Sequence, residues 1–429
     1  MLGFSQSAVA GAALLLARSA FAHPTPSRYN GTSQAQAEAQ VEYWNGGCTV
    51  HPLGGAQDDG PALLIAFEKC RSNSIINLPG PLYTVEKVLN STLFNTTINL
   101  DGIIQYTPNI TYWSPNSIYL EYQNATTAWY LSGENVTLQG DGGIDGSGQV
   151  WWNAYATLKT QGGSGVAGGS SRIFARPIPL AVARGKHITV DGISITNSPF
   201  WHSIIFESSY VTFKNIYMKS LSSNESAQAA NTDGWDTYRS DHIVIRDSVV
   251  INGDDCVSFK PNTTFTEVTN MYCDGSHGIS VGSLGQYYGV SDIVSDIYIK
   301  NITMLNAEHG ARIKVFPGHN DTSSVSGGGT GYVRNIDISD INFINFTGYA
   351  SGAYKVGNHT VGSIRCSGEC EDVTAKNIDL KWGPPGVNQT AGNYICTNVA
   401  SLNQLDFTCQ EVSYSQVDNG GSNLNGGKR

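Results

Sequence analysis

His187-Ile-Thr-Val-Asp-Gly-Ile-Ser-Ile-Thr is the first of four copies of a loose repeat, and this repeat decides the fold. The other copies are His242-Ile-Val-Ile-Arg-Asp-Ser-Val-Val-Ile, Asp296-Ile-Tyr-Ile-Lys-Asn-Ile-Thr-Met and Asn335-Ile-Asp-Ile-Ser-Asp-Ile-Asn-Phe. Each copy pairs two very short strands of alternating apolar residues around an Asn, Asp or Gly. Because such a unit cannot bury its apolar face alone, we expect the units to stack as the coils of a solenoid.

The composition also indicates a β protein. The 429 residues include 48 glycines and only 14% charged residues, and short Ile-, Val-, Thr- and Asn-rich segments alternate with turn residues. A chain of this length would ordinarily form two or three domains, but the glycine-rich stretch 161–171 is interpreted as a loop and not as a linker. Propeller blades are the alternative, although they need four longer strands per unit. We predict an all-β fold in which residues 23–429 form a single right-handed parallel β-helix.

The N-terminus predicts the compartment. An apolar run over residues 8–17 precedes Ala20-Phe21-Ala22, which is typical of a cleaved signal peptide, although residues 1–7 lack the usual basic residue. The run is too short to span a bilayer, and no other apolar run approaches the roughly 18 residues that a spanning helix needs. We therefore expect residues 1–22 to be removed and the protein to be secreted, extracellular and free of the membrane.

The cysteines and the Asn-x-Ser/Thr sequons agree with secretion. Thirteen sequons occur between Asn30 and Asn388. The eight cysteines fall into four sequence-local pairs, and an oxidising compartment favours disulfides between the members of each pair, although spacing alone does not fix connectivity. The pairs are Cys48 with Cys70, Cys256 with Cys273, Cys366 with Cys370, and Cys396 with Cys409. Zinc is the alternative for Cys366 and Cys370, but no second Cys or His pair stands nearby to complete the site.

The net charge of −10 argues against a nucleic-acid partner, because a basic surface supplies most of the affinity for nucleic acid. Nothing in the sequence indicates an oligomer, and we expect a monomer.

The residues able to do chemistry lie between positions 231 and 314. They form four clusters: Asn231-Thr232-Asp233-Gly234-Trp235-Asp236, Gly253-Asp254-Asp255-Cys256, Ser276-His277-Gly278 and Arg312-Ile313-Lys314. Asp233 precedes Asp254 by 21 residues and Asp255 precedes His277 by 22, so coils of that length would place them at equivalent points. Stacked strands lie about 4.8 Å apart, which would gather the side chains into one patch.

Each cluster also has an ordinary structural interpretation. An Asp beside Gly is usually a turn residue, and Arg312 and Lys314 could simply belong to a solvated strand face. Asp254 and Asp255 are neighbours, and neighbours in a regular strand point to opposite faces, so both reach one site only if a turn or bulge intervenes at Gly253. Four such features at coil spacing nevertheless favour one functional site.

In this order the four motifs resemble the signature of the polygalacturonases of glycoside hydrolase family 28, over roughly residues 50–415. The resemblance implies a parallel β-helix and hydrolysis of α-1,4-galacturonosyl bonds in pectin or polygalacturonate with inversion. It assigns Asp254 as the general acid, Asp233 and Asp255 as the pair that activates water, and His277 as a supporting residue. It also assigns Arg312 and Lys314 to binding of the galacturonate carboxylate. We add Asn231 of the first motif to the substrate-binding residues, and we expect no cofactor and no metal.

The chemistry of the residues fits these roles. Glycoside hydrolysis needs one protonated and one ionised carboxyl group, and crowded aspartates cannot all ionise. Arg and Lys suit an acidic sugar, which an acidic protein must bind through a local cluster of cations. Carboxyl groups one coil apart would suggest a retaining enzyme by the usual separation rule, whereas the family resemblance implies inversion, which we adopt.

Several further residues and loops bear on whether the polysaccharide is cleaved at its end or internally. The sequences of Asn231–Ser240 and Gly275–Tyr287 resemble those of fungal exopolygalacturonases. This resemblance implies release of galacturonate from the non-reducing end. We expect loops to close one end of the groove, with 161–171, 285–297 and 318–331 as candidates. Arg239 could bind a substrate carboxylate, or it could pair with Asp236 or Asp241. Tyr349 and Tyr354 are candidates for a subsite tyrosine.

Several alternatives remain. An endo-polygalacturonase or a rhamnogalacturonan or xylogalacturonan hydrolase would share the fold, although rhamnogalacturonan-directed relatives tend to lack the Arg-x-Lys motif. In a non-catalytic pectin-binding β-helix we would expect the catalytic aspartates to be replaced, but all three are present. Pectate lyases use calcium and a basic catalyst, so ultraviolet-absorbing products or chelator sensitivity would indicate a lyase.

Overall fold

The computed structural model describes residues 32–411 except 56, 161–173, 319, 321, 324–325, 345–359, 371–372, 377–380, 383–389 and 392, with side chains described outside 342–392 and 411. The predicted signal peptide, the loop 161–171, and the tyrosines Tyr349 and Tyr354 lie outside the described residues, as do the side chains of Cys366 and Cys370. Among the described residues, no helix combines the length and the apolar character that crossing a bilayer requires.

The chain forms a right-handed parallel β-helix, as predicted, built on a 22-stranded sheet that winds through three faces. The pairing between successive coils is parallel, which excludes the antiparallel blades of a propeller. Short strands of the first face are Ser203–Phe206, Trp235–Tyr238, Val257–Phe259, Ile279–Leu284 and Ala311–Val315. Those of the second face are Gly47–Val50, Ser72–Leu78, Ser209–Lys214 and Val373–Lys376, and those of the third are Leu82–Val85, Ile103–Tyr106, Gly143–Asp145, Ser194–Thr196 and Tyr217–Lys219.

Longer strands bend from one face to the next. Leu89–Leu100, Trp129–Gln139 and Leu180–Asp191 join the first and second faces, and Asp241–Ile251, Thr263–Asp274, Ser291–Leu305 and Thr330–Ile344 join the second and third. Outside these faces lie the strands Val41–Trp44, Ile118–Tyr119, Thr126–Thr127, Pro177–Ile178, Thr360–Cys370, Lys381–Trp382, Thr390–Ala391, Asn393–Val399 and Cys409–Glu411. The helices are Gln34–Ala39, Gly60–Lys69, Ile110–Asn116 and Gln149–Thr160.

The four sequence repeats occupy equivalent positions on the solenoid. Their first residues all have left-handed backbone, with φ of 55° at His187, 52° at His242, 60° at Asp296 and 53° at Asn335. Five residues later each copy bends again through a left-handed residue, namely Gly192, Asp247, Asn301 and Asp340. Gly, Asn and Asp tolerate this conformation best, which explains why the repeat places them between its two strands.

Two apolar clusters stabilise the fold. The larger one fills the interior of the solenoid and includes Trp235, Val257 and Ile279. The smaller one lies outside the first face and is covered by residues 118–127, which we call the strap. The strap residues Leu120, Tyr122 and Ala125 pack on outward side chains of the first face, namely Ala181, Ala183, Ile204, Phe206 and Tyr238.

Three of the expected cysteine pairs are disulfides in the structure. They are Cys48–Cys70, Cys256–Cys273 and Cys396–Cys409, with Cα–Cα distances of 6.4, 6.0 and 5.5 Å. The second of them connects the turn before strand Val257–Phe259 to strand Thr263–Asp274, and its Cys256 directly follows Asp255. This crosslink therefore restrains the turn that presents two of the candidate catalytic residues.

Candidate active site

Outward side chains of the first face form the floor of the site. Trp235 pairs with Val257 and Val257 with Ile279, at the 22-residue spacing expected for one coil, whereas Ile279 pairs with Ala311 across an inserted loop. Because alternate residues of a strand point to opposite sides, the inward set builds the core and the outward set faces the groove. The outward set includes Asp236, Ser258, Ser280 and Arg312 in one row, and Tyr238, Lys260 and Lys314 in the next.

Asp233, Asp254 and Asp255 lie on the turns that enter these strands, and Asn252 ties the two turns together. Its side-chain amide donates to the backbone oxygens of Thr232 at 2.7 Å and Asp255 at 3.0 Å. The backbone N–H of Gly253 donates to the Thr232 hydroxyl at 3.2 Å. This irregular turn lets the neighbouring Asp254 and Asp255 reach the same site, as the sequence required.

Asp254 is the most exposed of the three aspartates and lies against His277. Its side chain is 17% exposed, and its Oδ1 lies 3.1 Å from Nδ1 of His277. Burial lowers the pKa of His277, but the hydrogen bond and the charge of Asp254, with Glu308 adding to them, raise it overall. His277 is therefore held as a donor to Asp254 by a carboxylate on each side, with Glu308 3.6 Å from Nε2.

Asp255 is buried and bound by three donors. Its Oδ1 accepts from the Ser280 hydroxyl at 2.6 Å and from Nη2 of Arg312 at 2.8 Å, and its Oδ2 accepts from Nζ of Lys314 at 2.7 Å. Burial would raise the pKa of Asp255, but the charges of Lys314, Arg312 and Lys260 outweigh burial and hold it below its ordinary value. Asp255 is therefore ionised across the acidic range.

Asp233 is equally buried but has the opposite protonation preference. Only 3% of the residue is exposed. Burial raises its pKa well above the ordinary value, and the nearby charges of Asp254, Asp236 and Asp255 raise it further, against the effect of Lys260. Nζ of Lys260 lies 3.8 Å from its Oδ2. The site thus holds two buried carboxyl groups whose pKa values are shifted in opposite directions, with the more exposed Asp254 beside them.

The motifs did not reveal His202, which supports the turn at Asp233. His202 is fully buried, its backbone N–H donates to the Asp233 carbonyl at 2.8 Å, and its Nδ1 lies 3.0 Å from the same oxygen. Its Nε2 lies 2.9 Å from the Ser220 hydroxyl. Burial lowers the pKa of His202 to about 4, so the ring is neutral, with its proton on Nδ1 facing the carbonyl.

Arg176 was also missed, since no motif contains it. This fully buried guanidinium donates to the Ala230 carbonyl at 2.8 Å and to Oδ1 of Asn231 at 2.7 Å. It stacks between the rings of Tyr155 and Phe200, at 4.3 and 4.8 Å from their centroids. Arg176 therefore fixes the side chain of Asn231, whose backbone is left-handed with φ of 57°.

Arg239 does not pair with either acidic residue that the sequence suggested. Its Nη1 lies 3.4 Å from Oε1 of Glu207, and its guanidinium lies over the Tyr238 ring at 5.0 Å. Asp236 instead pairs with Lys260 at 2.8 Å, and Asp241 with His242 at 2.5 Å. The pairing with Glu207 arises because the first face brings the ends of strands Ser203–Phe206 and Trp235–Tyr238 together. Substrate binding by Arg239 stays a prediction.

One group of side chains in the described part of the protein has metal-ligand spacing. Ligand atoms of Asp254, Asp255 and His277 lie within 4.8 Å of one another. Arg312 and Lys314 already neutralise Asp255, and His277 directs Nδ1 at Asp254, so the donor set suits proton transfer better than a divalent cation.

Comparison with known proteins agrees with this geometry. The model of the Glycosyl hydrolases family 28 matches residues 70–328, which contain all four motifs. A probable exopolygalacturonase X of Aspergillus fumigatus is 39% identical over 84% of this chain and 88% of its own length. An exopolygalacturonase of Cochliobolus carbonum is 37% identical over 84% of this chain and 85% of its own length.

Solved structures share the fold. The endo-xylogalacturonan hydrolase of Aspergillus tubingensis superposes with a TM-score of 0.65 and 23% identity, over 85% of this chain and 99% of that one. A hyperthermoactive exopolygalacturonase of Thermotoga maritima gives 0.52 at 18% identity, over 80% of this chain and 76% of that one. The motifs, the arrangement of their side chains and the match over most of the chain lead to one conclusion: this protein is a member of glycosyl hydrolases family 28.

Proposed function

We propose that the protein is a secreted exopolygalacturonase, which hydrolyses α-1,4-galacturonosyl bonds of pectin or polygalacturonate and releases galacturonate from the non-reducing end. The similarity to exopolygalacturonases over most of the chain supports the reaction and the substrate. The disulfides support an extracellular location, because they persist in oxidising compartments. The mature enzyme comprises residues 23–429 and acts as a monomer without a cofactor.

Three aspartates divide the chemistry. Asp254, the most exposed, protonates the glycosidic oxygen as general acid, and His277 orients its carboxyl group. Asp255 is ionised and accepts a proton from the water that attacks the anomeric carbon, and Asp233 assists once it has released its own proton. The bond to the leaving sugar breaks as the bond to water forms, so the anomeric configuration inverts. Proton NMR of the first-formed anomer tests this step, and a retained α-anomer would contradict it.

Arg312 and Lys314 bind the carboxylate of the substrate while they hold Asp255. Arg312 donates from Nε to Ser280 and from Nη2 to Asp255. A guanidinium has five N–H groups, so others can donate to the substrate. Lys314 donates one of its three N–H groups to Asp255. Their side chains are 23% and 28% exposed, so a uronate can approach the remaining donors.

The position of the strap is the main structural support for exo action. It covers the outward side chains of strands Leu180–Asp191 and Ser203–Phe206, so the polar floor starts at Asp236 and continues in one direction. Gln123 of the strap donates to Gln286 at 3.0 Å, which joins the strap to the loop 285–290. Part of the predicted loop 285–297 thus helps to close the groove, while its remainder is the start of strand Ser291–Leu305. A groove closed on one side admits only the end of a chain.

Time-resolved chromatography of the products from unsubstituted polygalacturonate tests this function. Monogalacturonate as the sole product from the first time point is expected. A ladder of oligomers would show an endo-acting enzyme, and cleavage confined to xylose-substituted polymer would show a xylogalacturonan hydrolase. Ultraviolet-absorbing products would show a lyase and overturn hydrolysis.

A strap variant tests the structural reason. Tyr122→Ala removes a buried ring that stacks on Tyr238 at 4.2 Å, and it should release some oligomers beside the monomer. Tyr119→Ala, which removes a strap ring that is 47% exposed, is the matched control and should leave the product profile unchanged. Pure monomer from Tyr122→Ala, with a folded protein, would assign the closed end to another segment.

A further inference from the structure

Lys260 is a buried cation beside the aspartates that none of the four motifs contains. Only 5% of the residue is exposed. Its Nζ lies 2.8 Å from Oδ1 of Asp236 and 3.8 Å from Oδ2 of Asp233, and 5.1 Å from the Trp201 ring centroid. Its backbone N–H donates to the Thr237 carbonyl at 2.9 Å, which fixes the start of the side chain.

Burial of this ammonium requires compensating charge. Removing an ammonium from water costs several kcal/mol of desolvation free energy, which nearby carboxylates or hydrogen bonds must offset. Asp236 is fully buried, and its carboxylate oxygens accept no hydrogen bond with regular geometry from the described residues. Lys260 and Asp236 therefore depend on each other, and Asp233 is the second carboxylate within 4 Å of the ammonium.

Charged side chains from several elements surround the turn that holds Asp233. Three carboxylates, Asp236, Asp254 and Asp255, oppose its ionisation. Lys260 favours it from the end of strand Val257–Phe259, and Arg176 lies close enough to interact with it from the segment before Pro177–Ile178. Nζ of Lys260 lies 3.8 Å from Oδ2 of Asp233, so removal of this ammonium should change the balance of charge at Asp233.

We propose that Lys260 is a positioning residue for the hydrolysis: its ammonium, shared between Asp236 and Asp233, sets the pH at which Asp233 releases its proton. The inference rests on the proposed function, in which ionised Asp233 helps to accept a proton from the attacking water. A merely structural lysine would hold Asp236 in place and affect the amount of folded enzyme, but it would not move the pH dependence of the rate.

The test is the pH profile of kcat/KM on polygalacturonate for the full chain and for Lys260→Met, an apolar side chain of similar length. Without the ammonium, Asp233 holds its proton to higher pH, so the acidic limb of the profile should move upward by about one pH unit or more. Lys300→Met is the control, because Lys300 is 48% exposed and pairs with Asp340. Its profile should coincide with that of the unaltered enzyme.

A limb that stays in place in folded Lys260→Met enzyme would overturn the inference, whatever the loss of rate. Thermal unfolding followed by circular dichroism establishes folding. If Lys260→Met does not fold, Lys260→Gln decides: it also removes the charge but keeps a hydrogen-bond donor for Asp236, and the acidic limb should again move upward, whereas an unmoved limb would overturn the inference. Inactivity of the unaltered enzyme on polygalacturonate would instead refute the proposed function.

Discussion

Asp233 and Asp255 stand on consecutive turns of the same solenoid face and are equally buried, yet their protonation preferences are opposite. Asp255 accepts hydrogen bonds from a hydroxyl and two cationic side chains, Arg312 and Lys314. Asp233 faces other carboxylates and shares a single ammonium with Asp236. The difference shows that burial alone does not determine the protonation state of a carboxyl group; the number and distance of its cationic partners decide it.

This contrast concerns the two aspartates that we assign to water activation, and the proposed general acid Asp254 lies beside them. An enzyme that both donates and accepts a proton needs carboxyl groups whose pKa values lie apart. The β-helix provides them by stacking side chains from successive coils, and each coil adds its own donors or acceptors. Arg312 and Lys314 therefore do more than the sequence assigned to them, since they keep Asp255 ionised as well as facing the groove.

The largest effect on activity is expected from neutralising Asp255, the ionised aspartate. Asp255→Asn removes a proton acceptor and should lower kcat by roughly 10²- to 10⁴-fold, as expected for loss of acid–base catalysis. Steady-state release of galacturonate measures the loss. Asp101→Asn, which alters an exposed carboxylate, is the control and should keep full activity. A kcat within a factor of two in Asp255→Asn would contradict the role of Asp255.

The next largest effect is a difference in stability between the Asp255→Asn and Asp233→Asn variants. Asp255→Asn leaves Arg312 and Lys314 without their carboxylate and should lower the free energy of unfolding by roughly 2–4 kcal/mol at pH 5. Asp233→Asn replaces a protonated carboxyl group by a neutral amide of the same shape and should change it by less than about 1 kcal/mol. Urea unfolding of both variants checks the order, and equal losses would contradict the assigned protonation states.

A smaller effect should appear in the pH dependence of stability. The raised pKa of Asp233 means that the unfolded chain releases this proton at lower pH than the folded protein does. Asp233 therefore costs stability as the pH rises above about 4, its value in the unfolded chain. Asp233→Asn should consequently gain stability relative to the unaltered enzyme between pH 4 and pH 7. A difference between the two proteins that is constant with pH would contradict the raised pKa.

Asp255 has the opposite sign in the same experiment. Its pKa is depressed in the folded state, so its contribution is present above about pH 4 and is lost as the pH falls through the folded value. The unaltered enzyme should therefore lose its stability advantage over Asp255→Asn only in strongly acidic solution.

The sequence predicted the solenoid and the position of the aspartates because both follow from local patterns. The repeats beginning at His187 and His242 contain the left-handed residues that bend each coil, and spacings of 21 and 22 residues match the 22-residue register. Such patterns are visible along the chain without knowledge of long-range contacts.

The remaining features depend on contacts that no local pattern encodes. Lys260 meets Asp233 only because two coils are in register, and Arg176 reaches Asn231 from a segment 55 residues earlier. The strap was likewise missed, because its apolar residues resemble any short buried segment until Tyr238 and Ile204 are seen beneath it. For Arg239 the sequence offered Asp236 and Asp241 as alternatives to a substrate carboxylate, whereas the fold supplies Glu207 from the preceding coil.

The most direct test of the contrast is a pH titration of the carboxyl carbons of Asp233 and Asp255. Carbon-13 NMR of enzyme labelled at the aspartate carboxyl group, with signals assigned through Asp233→Asn and Asp255→Asn, measures both groups. We expect Asp255 to keep the chemical shift of a carboxylate below pH 4 and Asp233 to titrate well above pH 4. Titration of both groups near pH 4, or in the reverse order, would show that their environments do not shift the two pKa values in opposite directions.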